Sequence, residues 1–429
     1  GRFHVASACL KTFVFKLVYI TRSRMSSPSD LPQLPYTACP PHVAALIRRV
    51  ERATAFIEGV AVRAFGSSVN GFGDEASDVD LLIAASKANL VESLQLGKVS
   101  DRDLAPRTLA YLQKHLRNEG FVIEEKVLHA KVPILKMSRH EFHGKMSCDL
   151  SVNNLLPLFN TRLLRSYANI DPRVVKLTVE CKKWAREHEV HGAPMANLSS
   201  YAFTLLVIFF MQVRKTLPCL QHVGEDNPRL YKEGNREFNV AMDGIPPADW
   251  RAEDCIIDFA EFVRFYVTEF EWGASVVSVR IGSVEPVADY PDLKVGRDSQ
   301  DALHIEDPFD IRRNLNCVMS RASNAKLWWA LSYEWERLEA AREYRLAQLP
   351  REVDALPSEP ELSSDSTRSL RRWKARKSLQ HAYAANGSAN AAPLSSSQVE
   401  LTSQGVDSPT SKPPRRVWKK GNKIPPPLS

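Results

Sequence analysis

The sequence has no arrangement of cysteines that would indicate a zinc site or a disulfide framework. Its seven cysteines are scattered singly, without Cys-x-x-Cys spacing, so reduced buried thiols are the plain interpretation. Long hydrophobic runs are also missing. The longest, Tyr201 to Met211, is too short to span a bilayer and predicts a buried helix. We therefore expect neither a structural zinc ion nor a membrane partner.

Acidic residues are absent from the first 24 positions, which carry five basic residues. Residues 352–429 carry twelve basic residues against seven acids, so the net charge of +7 lies in the two flanks. The body between them is slightly acidic. The pI near 9.0 is therefore weak evidence that the folded body is one large nucleic-acid surface.

The N-terminal flank, 1–40, is interpreted as a leader. The chain begins at Gly1, and its acid-free, partly apolar start is typical of a mitochondrial transit segment. The alternative is upstream sequence with translation starting at Met25, which would leave the protein in the cytoplasm.

The C-terminal flank, 351–429, is rich in Ser, Pro, Ala and charge and predicts a disordered basic tail. Basic clusters surround Trp373 and Trp418, and such clusters neutralise phosphates and stack on bases. They would contact RNA or an RNA-processing complex. The alternatives are a solubilising tail, a protein-docking peptide or a localisation peptide.

Hydrophobic periodicity divides the body into an α/β half and a helical half, placed at 41–160 and 161–350. The α/β half is predicted to contain helices from Pro41 to Glu58 and from Ala105 to Asn118. Its predicted strands run from Val60 to Phe65, Asp78 to Ala84, Phe121 to Leu128, Lys131 to Met137 and Lys145 to Val152, with a hairpin end at Ser138 to His140.

The helical half is predicted to contain four helices, from Val174 to Glu187, Tyr201 to Val213, Cys255 to Tyr266 and Ala325 to Gln348. Residues 219–250 are polar, with several Gly and Pro, and predict a long surface connection. A short strand is expected from Val276 to Ile281, followed by a compact charged loop from His304 to Asn314.

The stretch from Phe65 to Ile83 organises the chemistry. A small-residue turn, Gly66-Ser67, follows a strand, and Asp78 and Asp80 come later at alternate positions. Alternate side chains of a strand share one face, so both carboxylates point the same way. Because such a turn offers backbone N–H groups to phosphate oxygens, the stretch predicts a magnesium–nucleotide site.

A third carboxylate, Asp149, lies on a later strand that would pair beside Asp78 and Asp80. Three such carboxylates hold two Mg²⁺ or Mn²⁺ ions about 3.5–4 Å apart in two-metal sites. The structural alternative for a lone aspartate is a turn or strand-end cap. For Asp78 and Asp80 after Gly66-Ser67, the metal interpretation is favoured.

These motifs, in this order, resemble the nucleotidyltransferase signature of the polymerase-β superfamily. The downstream segments resemble the noncanonical poly(A) polymerases and terminal uridylyltransferases. The resemblance covers about residues 42–345 and rests on Asn153-Asn154-Leu155, Asn160-Thr161, Lys182-Lys183-Trp184-Ala185-Arg186, Leu198-Ser199-Ser200-Tyr201, 259–281 and Ile305-Glu306-Asp307-Pro308-Phe309-Asp310. It implies a small mixed-sheet nucleotidyltransferase domain joined to a mainly helical poly(A)-polymerase-associated domain, with a cleft between them.

The resemblance also implies roles for the matching residues. Asp78 and Asp80 would bind both metals, and Asp149 would bind the catalytic metal and help deprotonate an RNA 3′-hydroxyl. The triphosphate would be held by Gly66, Ser67, Lys182, Arg186 and Ser200. Three of these residues have an ordinary structural alternative when each is considered alone. Lys182 and Arg186 would form a solvated helix face, and Ser200 would be a helix N-cap.

The sugar and base would be read by a second set of residues. Asn160 would contact the ribose 2′-hydroxyl and Thr161 the base. Tyr201, whose ordinary alternative is core packing, would stack on the base. Asp307, together with Asp310, would read the base edge.

Three positions depart from the family pattern. Asp310 stands where Glu is usual, Arg186 where Lys is usual, and Arg313 where some uridine-specific members have His. The set Asn160-Thr161, Ser200-Tyr201 and Asp307 favours UTP over ATP, so we expect an enzyme that adds UMP from UTP to an RNA 3′ end. We also expect a monomer. The alternatives are an ATP-using poly(A) polymerase and a catalytically silent RNA-binding subunit. Choice of RNA would rest on the cleft, on Lys131 and Lys136, and on the tail or a partner.

Overall fold

The structure is a computed structural model, and it describes residues 23–24, 39–73, 77–141, 144–222, 227–296 and 301–347. The predicted tail, 351–429, lies outside these ranges, as does most of the leader. The described part of the leader includes strand β1 (Ser23–Arg24). The domain boundaries and the properties assigned to both flanks stay predictions.

The first half of the fold is a five-stranded mixed sheet with its helices. Its strand order is 61–65, 79–84, 144–152, 134–141, 122–127, and only the pairing of 79–84 with 144–152 is parallel. The predicted mixed sheet is thus confirmed. The elements are α1 (Pro41–Thr54), β2 (Ala61–Phe65), α2 (Ser67–Asn70), β3 (Val79–Ala84), α3 (Lys87–Ser93), α4 (Asp101–Asn118), β4 (Val122–Val127), β5 (Ile134–Glu141) and β6 (Gly144–Val152).

The second half is mainly helical, as the sequence predicted. Two small sheets supplement it, one joining 229–233 to 236–239 and β1, the other joining 275–277 to 285–286 and 304–305. Its elements are α5 (Leu156–Ile170), α6 (Arg173–Glu187), α7 (Ser200–Val213), β7 (Arg229–Glu233), β8 (Arg236–Asn239), α8 (Phe259–Arg264), the π-helical turn Phe265–Glu269, β9 (Ser275–Val277), β10 (Glu285–Pro286), β11 (His304–Ile305) and α9 (Arg321–Ala347).

Strand β3 is buried between two layers. Leu81 packs in one cluster with Leu112 of α4, whereas the next residue, Leu82, packs against Leu158 of α5. Because side chains of a strand alternate in direction, Asp80 shares the face of Leu82. The strand therefore turns this carboxylate toward the helical half.

Helix α7 forms the centre of the helical half. All residues from Ala202 to Gln212 are buried, as the apolar run predicted. Ser199 caps the helix, because its hydroxyl accepts a 3.2 Å hydrogen bond from the Ala202 N–H. Within the described ranges, no helix has both the length and the apolarity needed to cross a membrane.

Two predictions for the helical half are wrong. The surface connection expected at 219–250 contains the β7–β8 hairpin, whose Tyr231 and Phe238 are buried. The helix expected from Cys255 begins only at Phe259, because Asp258 accepts a hydrogen bond from the Glu261 N–H and caps it.

Strand ends also differ from the predictions. The hairpin end expected at Ser138 to His140 lies inside β5, because β5 and β6 pair without interruption as far as Glu141 and Gly144. The strand expected from Val276 to Ile281 ends at Val277. Helix α3 was not predicted.

Candidate active site

Asp80 and Asp149 lie side by side in the sheet. They are register partners across the parallel β3–β6 pair, and Phe65 of β2 pairs with Asp80 on its other side. Asp78 is exposed and directly precedes β3, so its carboxylate and that of Asp80 leave the chain on the same face. The structure thus gathers all three predicted carboxylates.

Mutual repulsion characterises this cluster. Burial, followed by the charges of Asp149 and Asp78, raises the pKa of Asp80 to about 7. Burial and the charge of Asp78 also raise the pKa of Asp149, an effect that Lys136 partly opposes. Lys136 is the register partner of Asp149 on β5. A bound cation would relieve this repulsion.

The turn after β2 comes close to Asp80. Gly66 has a φ of +78°, and a Cβ there would lie 2.3 Å from Asp80 Oδ2. Both the backbone conformation and the close approach therefore require glycine. The Gly66 N–H donates a 2.9 Å hydrogen bond to Thr161 Oγ1. The expectation that this N–H is free for phosphate is wrong.

Among the described residues, no three His, Cys, Asp or Glu side chains converge closely enough to hold a metal ion alone. The three carboxylates are neighbours, but their oxygens do not converge on one position that could hold a metal ion. An ion at Asp80 and Asp149 would need further oxygen ligands, which a bound triphosphate supplies.

Lys182 connects α6 to the segment after the Gly66 turn. It is only 5% exposed, its Nζ donates a 3.1 Å hydrogen bond to the Phe72 carbonyl, and it lies 5.9 Å from the Phe72 ring centroid. The solvated-face alternative is therefore wrong for Lys182. Arg186, one turn later, is exposed.

The start of α7 brings a histidine to this region. Ser199, not Ser200, is the N-cap, so the capping alternative for Ser200 is wrong. The Ser200 hydroxyl lies 2.8 Å from His191 Nε2. Burial and the charges of Arg186 and Lys182 lower the pKa of His191. No local pattern marked His191 in the sequence.

The base-loop segment Glu306 to Asn314 presents one carboxylate oxygen without a partner. Asp307 is fully buried, and its Oδ1 accepts hydrogen bonds from the N–H groups of Phe309 and Asp310. Its Oδ2 has no hydrogen-bond partner within the described chain. The Tyr201 hydroxyl is buried near Asp307, and burial, followed by the charge of Asp307, raises the pKa of Tyr201.

The other residues predicted to read the nucleotide differ in their surroundings. Asn160 Oδ1 is a further buried oxygen with no partner in the described ranges. Thr161 is buried, and its hydroxyl also donates a 2.7 Å hydrogen bond to the Pro157 carbonyl. Its contacts therefore position the Gly66 turn, and a base contact stays a prediction.

Asp310 and Arg313 of the base loop also differ in their surroundings. Asp310 forms an ion pair with Arg236 of β8. Burial raises the pKa of Asp307, and the charge of the exposed Arg313 partly opposes that rise.

A groove of about 1740 Å³ lies beside the base loop. The ends of β3 and β6, the β7–β8 hairpin and Asp310 to Asn314 bound it. Its basic residues outnumber its acids and include Lys131, Arg312 and Arg313. The groove has the size and charge to hold a phosphodiester chain. Lys136 lies beside Asp149 instead.

Two family models match the chain. "Poly(A) RNA polymerase, mitochondrial-like, central palm domain" matches residues 42–169, and "Cid1 family poly A polymerase" matches 259–313. Rat poly(A) RNA polymerase GLD2 is 32% identical over 288 residues, which cover 65% of this chain and 56% of that protein. Over these residues the chain is similar to the noncanonical poly(A) and poly(U) polymerases. The chain is also similar to human terminal uridylyltransferase 7, with 33% identity over 276 residues, which cover 61% of this chain and 17% of that protein.

Solved structures of this family share the fold. The Cid1 poly(U) polymerase bound to MgATP gives a TM-score of 0.57 with 23% identity, over 72% of this chain and 93% of that one. An mtPAP variant bound to ATPγS gives 0.56 with 23% identity, over 69% and 62%. The predicted α/β plus α architecture is thereby confirmed. The chain spans little more than half the length of the GLD2 relatives that it matches.

Proposed function

We propose that this protein is a template-independent RNA 3′-terminal uridylyltransferase that adds UMP from UTP. The pairing of Asp80 with Asp149 beside the Gly66 turn is the observation that carries this proposal. In the reaction, the RNA 3′-oxygen forms a bond to the α-phosphorus of UTP. The bond from that phosphorus to pyrophosphate breaks, and pyrophosphate leaves.

Divalent cations belong to the proposal because the donor set suits them. Asp78, Asp80 and Asp149 offer hard carboxylate oxygens that repel one another, and Gly66 leaves the space beside Asp80 open. We expect two Mg²⁺ or Mn²⁺ ions, which when bound would activate the 3′-hydroxyl and stabilise the leaving oxygen. Asp149 would take the 3′-hydroxyl proton, a role that its raised pKa supports.

The helical half supplies the groups for the rest of the nucleotide. Lys182 and Arg186 would pair with the outer phosphates, together with Ser200. Buried polar atoms without partners are costly unless a ligand satisfies them. Asn160 and Asp307 each have such an atom, which supports their predicted contacts with the ribose and the base.

A second candidate is an ATP-using poly(A) polymerase of the same family. The GLD2 relatives favour it, as does Arg313, which stands where some uridine-specific members have His. A catalytically silent subunit is disfavoured, because such a protein has no need to keep Asp78, Asp80 and Asp149 together.

The RNA would enter along the basic groove past Lys131. We further propose a monomer whose tail, 351–429, contacts RNA or an RNA-processing complex. A mitochondrial location, or a cytoplasmic one if translation starts at Met25, rests on the sequence of the leader.

The test is extension of a labelled RNA primer with each nucleoside triphosphate supplied separately. We expect UTP to be incorporated with the highest kcat/KM, in the presence of Mg²⁺ or Mn²⁺. Equal or better use of ATP would contradict the uridylyl assignment and support the second candidate. No extension with any nucleotide would contradict the enzyme assignment.

A further inference from the structure

Asp307 and Asp310 of the base loop differ in the partners of their carboxylates. Asp310 is 7% exposed, and its Oδ1 is paired with Nη2 of Arg236. Arg236 belongs to β8, in the segment that the sequence predicted to be a surface connection. Asp310 is therefore neutralised by a residue from a different part of the fold.

An aromatic chain attaches the hairpin to the base loop. The Arg236 guanidinium lies 4.7 Å from the Phe238 ring centroid. Phe238 stacks on Tyr231 at 6.1 Å, and Tyr231 packs against Phe159 at 5.8 Å. Phe159, the neighbour of Asn160 on α5, contacts Phe309 of the loop at 6.2 Å. These contacts hold Arg236 in place relative to the base loop and to Asn160, which is predicted to contact the ribose.

The backbone of the loop is held independently of Arg236. Gln221 Nε2 donates a 2.9 Å hydrogen bond to the Pro308 carbonyl, and Asp307 Oδ1 accepts from the Asp310 N–H. The Arg313 N–H donates to the Asp310 carbonyl at 2.7 Å. Loss of the Arg236 side chain would therefore free the Asp310 carboxylate and leave the loop in place.

We propose that Arg236 is a positioning residue for base selection, which acts by neutralising Asp310. The inference rests on the proposed function. A free carboxylate accepts hydrogen bonds from exocyclic amino groups, which adenine and cytosine carry, and repels a carbonyl oxygen such as O4 of uracil. With Asp310 neutralised, uracil meets no second negative charge. Without Arg236, the carboxylate would favour adenine.

The test measures kcat and KM for UTP and for ATP on one RNA primer with the full chain. Arg236→Gln should lower the UTP/ATP ratio of kcat/KM by about tenfold, mainly through KM, as expected for residues in one ion-pair network. Arg236→Lys keeps the charge and should stay close to wild type. Lys114→Gln removes an exposed charge from α4, outside the groove lining, and should leave the ratio unchanged.

Asp310→Asn separates this proposal from direct base reading by Asp310. Arg236 then lacks its anionic partner, so the UTP/ATP ratio should stay equal or rise. The double variant Arg236→Gln/Asp310→Asn should recover the ratio that Arg236→Gln alone loses. A lower ratio in Asp310→Asn would overturn the proposal, and so would an equal loss with both nucleotides in Arg236→Gln.

Failure of the proposed function is a distinct result. If the wild type prefers ATP, the uridylyl assignment fails, yet Arg236→Gln should still shift the ratio toward ATP. If Arg236→Gln does not fold, Arg236→Lys and Asp310→Asn still decide the matter. A loss of the wild-type ratio in Arg236→Lys, or in Asp310→Asn, would contradict the neutralising role.

Discussion

At the scale of single residues, Gly66 links the turn after β2 to the carboxylates. It has a left-handed φ, and a methyl group on it would collide with Asp80 Oδ2. Gly97 has a similar φ of +63°, but no atom lies within 4 Å of the Cβ position there. Both glycines share the left-handed backbone, but only Gly66 lies close to Asp80. Comparing substitutions at the two positions therefore distinguishes the effect of backbone strain from the effect of the close approach.

We expect Gly66→Ala to slow RNA extension by about a hundredfold, because a small displacement of a catalytic group has effects of that size. Gly97→Ala should lose about 1–2 kcal/mol of stability through its left-handed backbone and keep the wild-type rate. Extension rates, with melting temperatures as the control for folding, check this. Equal rates in the two variants would contradict a catalytic role for the close approach.

At the scale of elements, the sequence predicted what local patterns determine. Helical spacing predicted α4 and α7, and the Asp-x-Asp alternation placed the carboxylates on one face of β3. The β7–β8 hairpin was missed because its short strands each bury one aromatic residue, Tyr231 or Phe238, in a polar segment.

Contacts between distant elements were beyond the reach of such patterns. The Arg236–Asp310 ion pair joins residues 74 positions apart, and the hydrogen bond from Gly66 to Thr161 spans 95. The sequence motifs therefore located the candidate site residues but not their partners. Those partners changed the interpretation of Asp310 and of the Gly66 N–H.

At the scale of the whole molecule, the described residues form two large hydrophobic cores and smaller clusters. One core contains the sheet with α1 and α4, and the other surrounds α7. Leu82, Ala84 and Leu158 form a small cluster next to Asp80. Because burial and the neighbouring carboxylates shift the pKa of Asp80, its charge state is coupled to the stability of the folded chain.

The sign of this coupling follows from the pKa. The pKa of Asp80 in the folded protein, about 7, is above its usual value of 3.8, so the folded state binds more protons between these values. Stability therefore falls as pH rises from about 4 to about 7, and the loss is complete above that range.

We expect Asp80→Asn, which carries no such charge, to gain melting temperature relative to wild type as pH rises from about 5 to about 8 in the presence of a chelator. Added Mg²⁺ at the upper pH should raise the wild-type melting temperature more than that of the variant. Thermal unfolding followed by circular dichroism measures both effects. Parallel pH profiles for the two proteins would show that Asp80 is not strained by its neighbours.

The central claim is that the carboxylates paired across β3 and β6 perform nucleotidyl transfer. The most direct measurement is the single-turnover rate of RNA primer extension by Asp149→Asn with UTP and Mg²⁺, compared with wild type and with Asp289→Asn, which changes an exposed aspartate outside the candidate site. We predict that Asp149→Asn is slower by about a thousandfold or more, whereas Asp289→Asn matches wild type. A folded Asp149→Asn protein that extends RNA at the wild-type rate would contradict the claim.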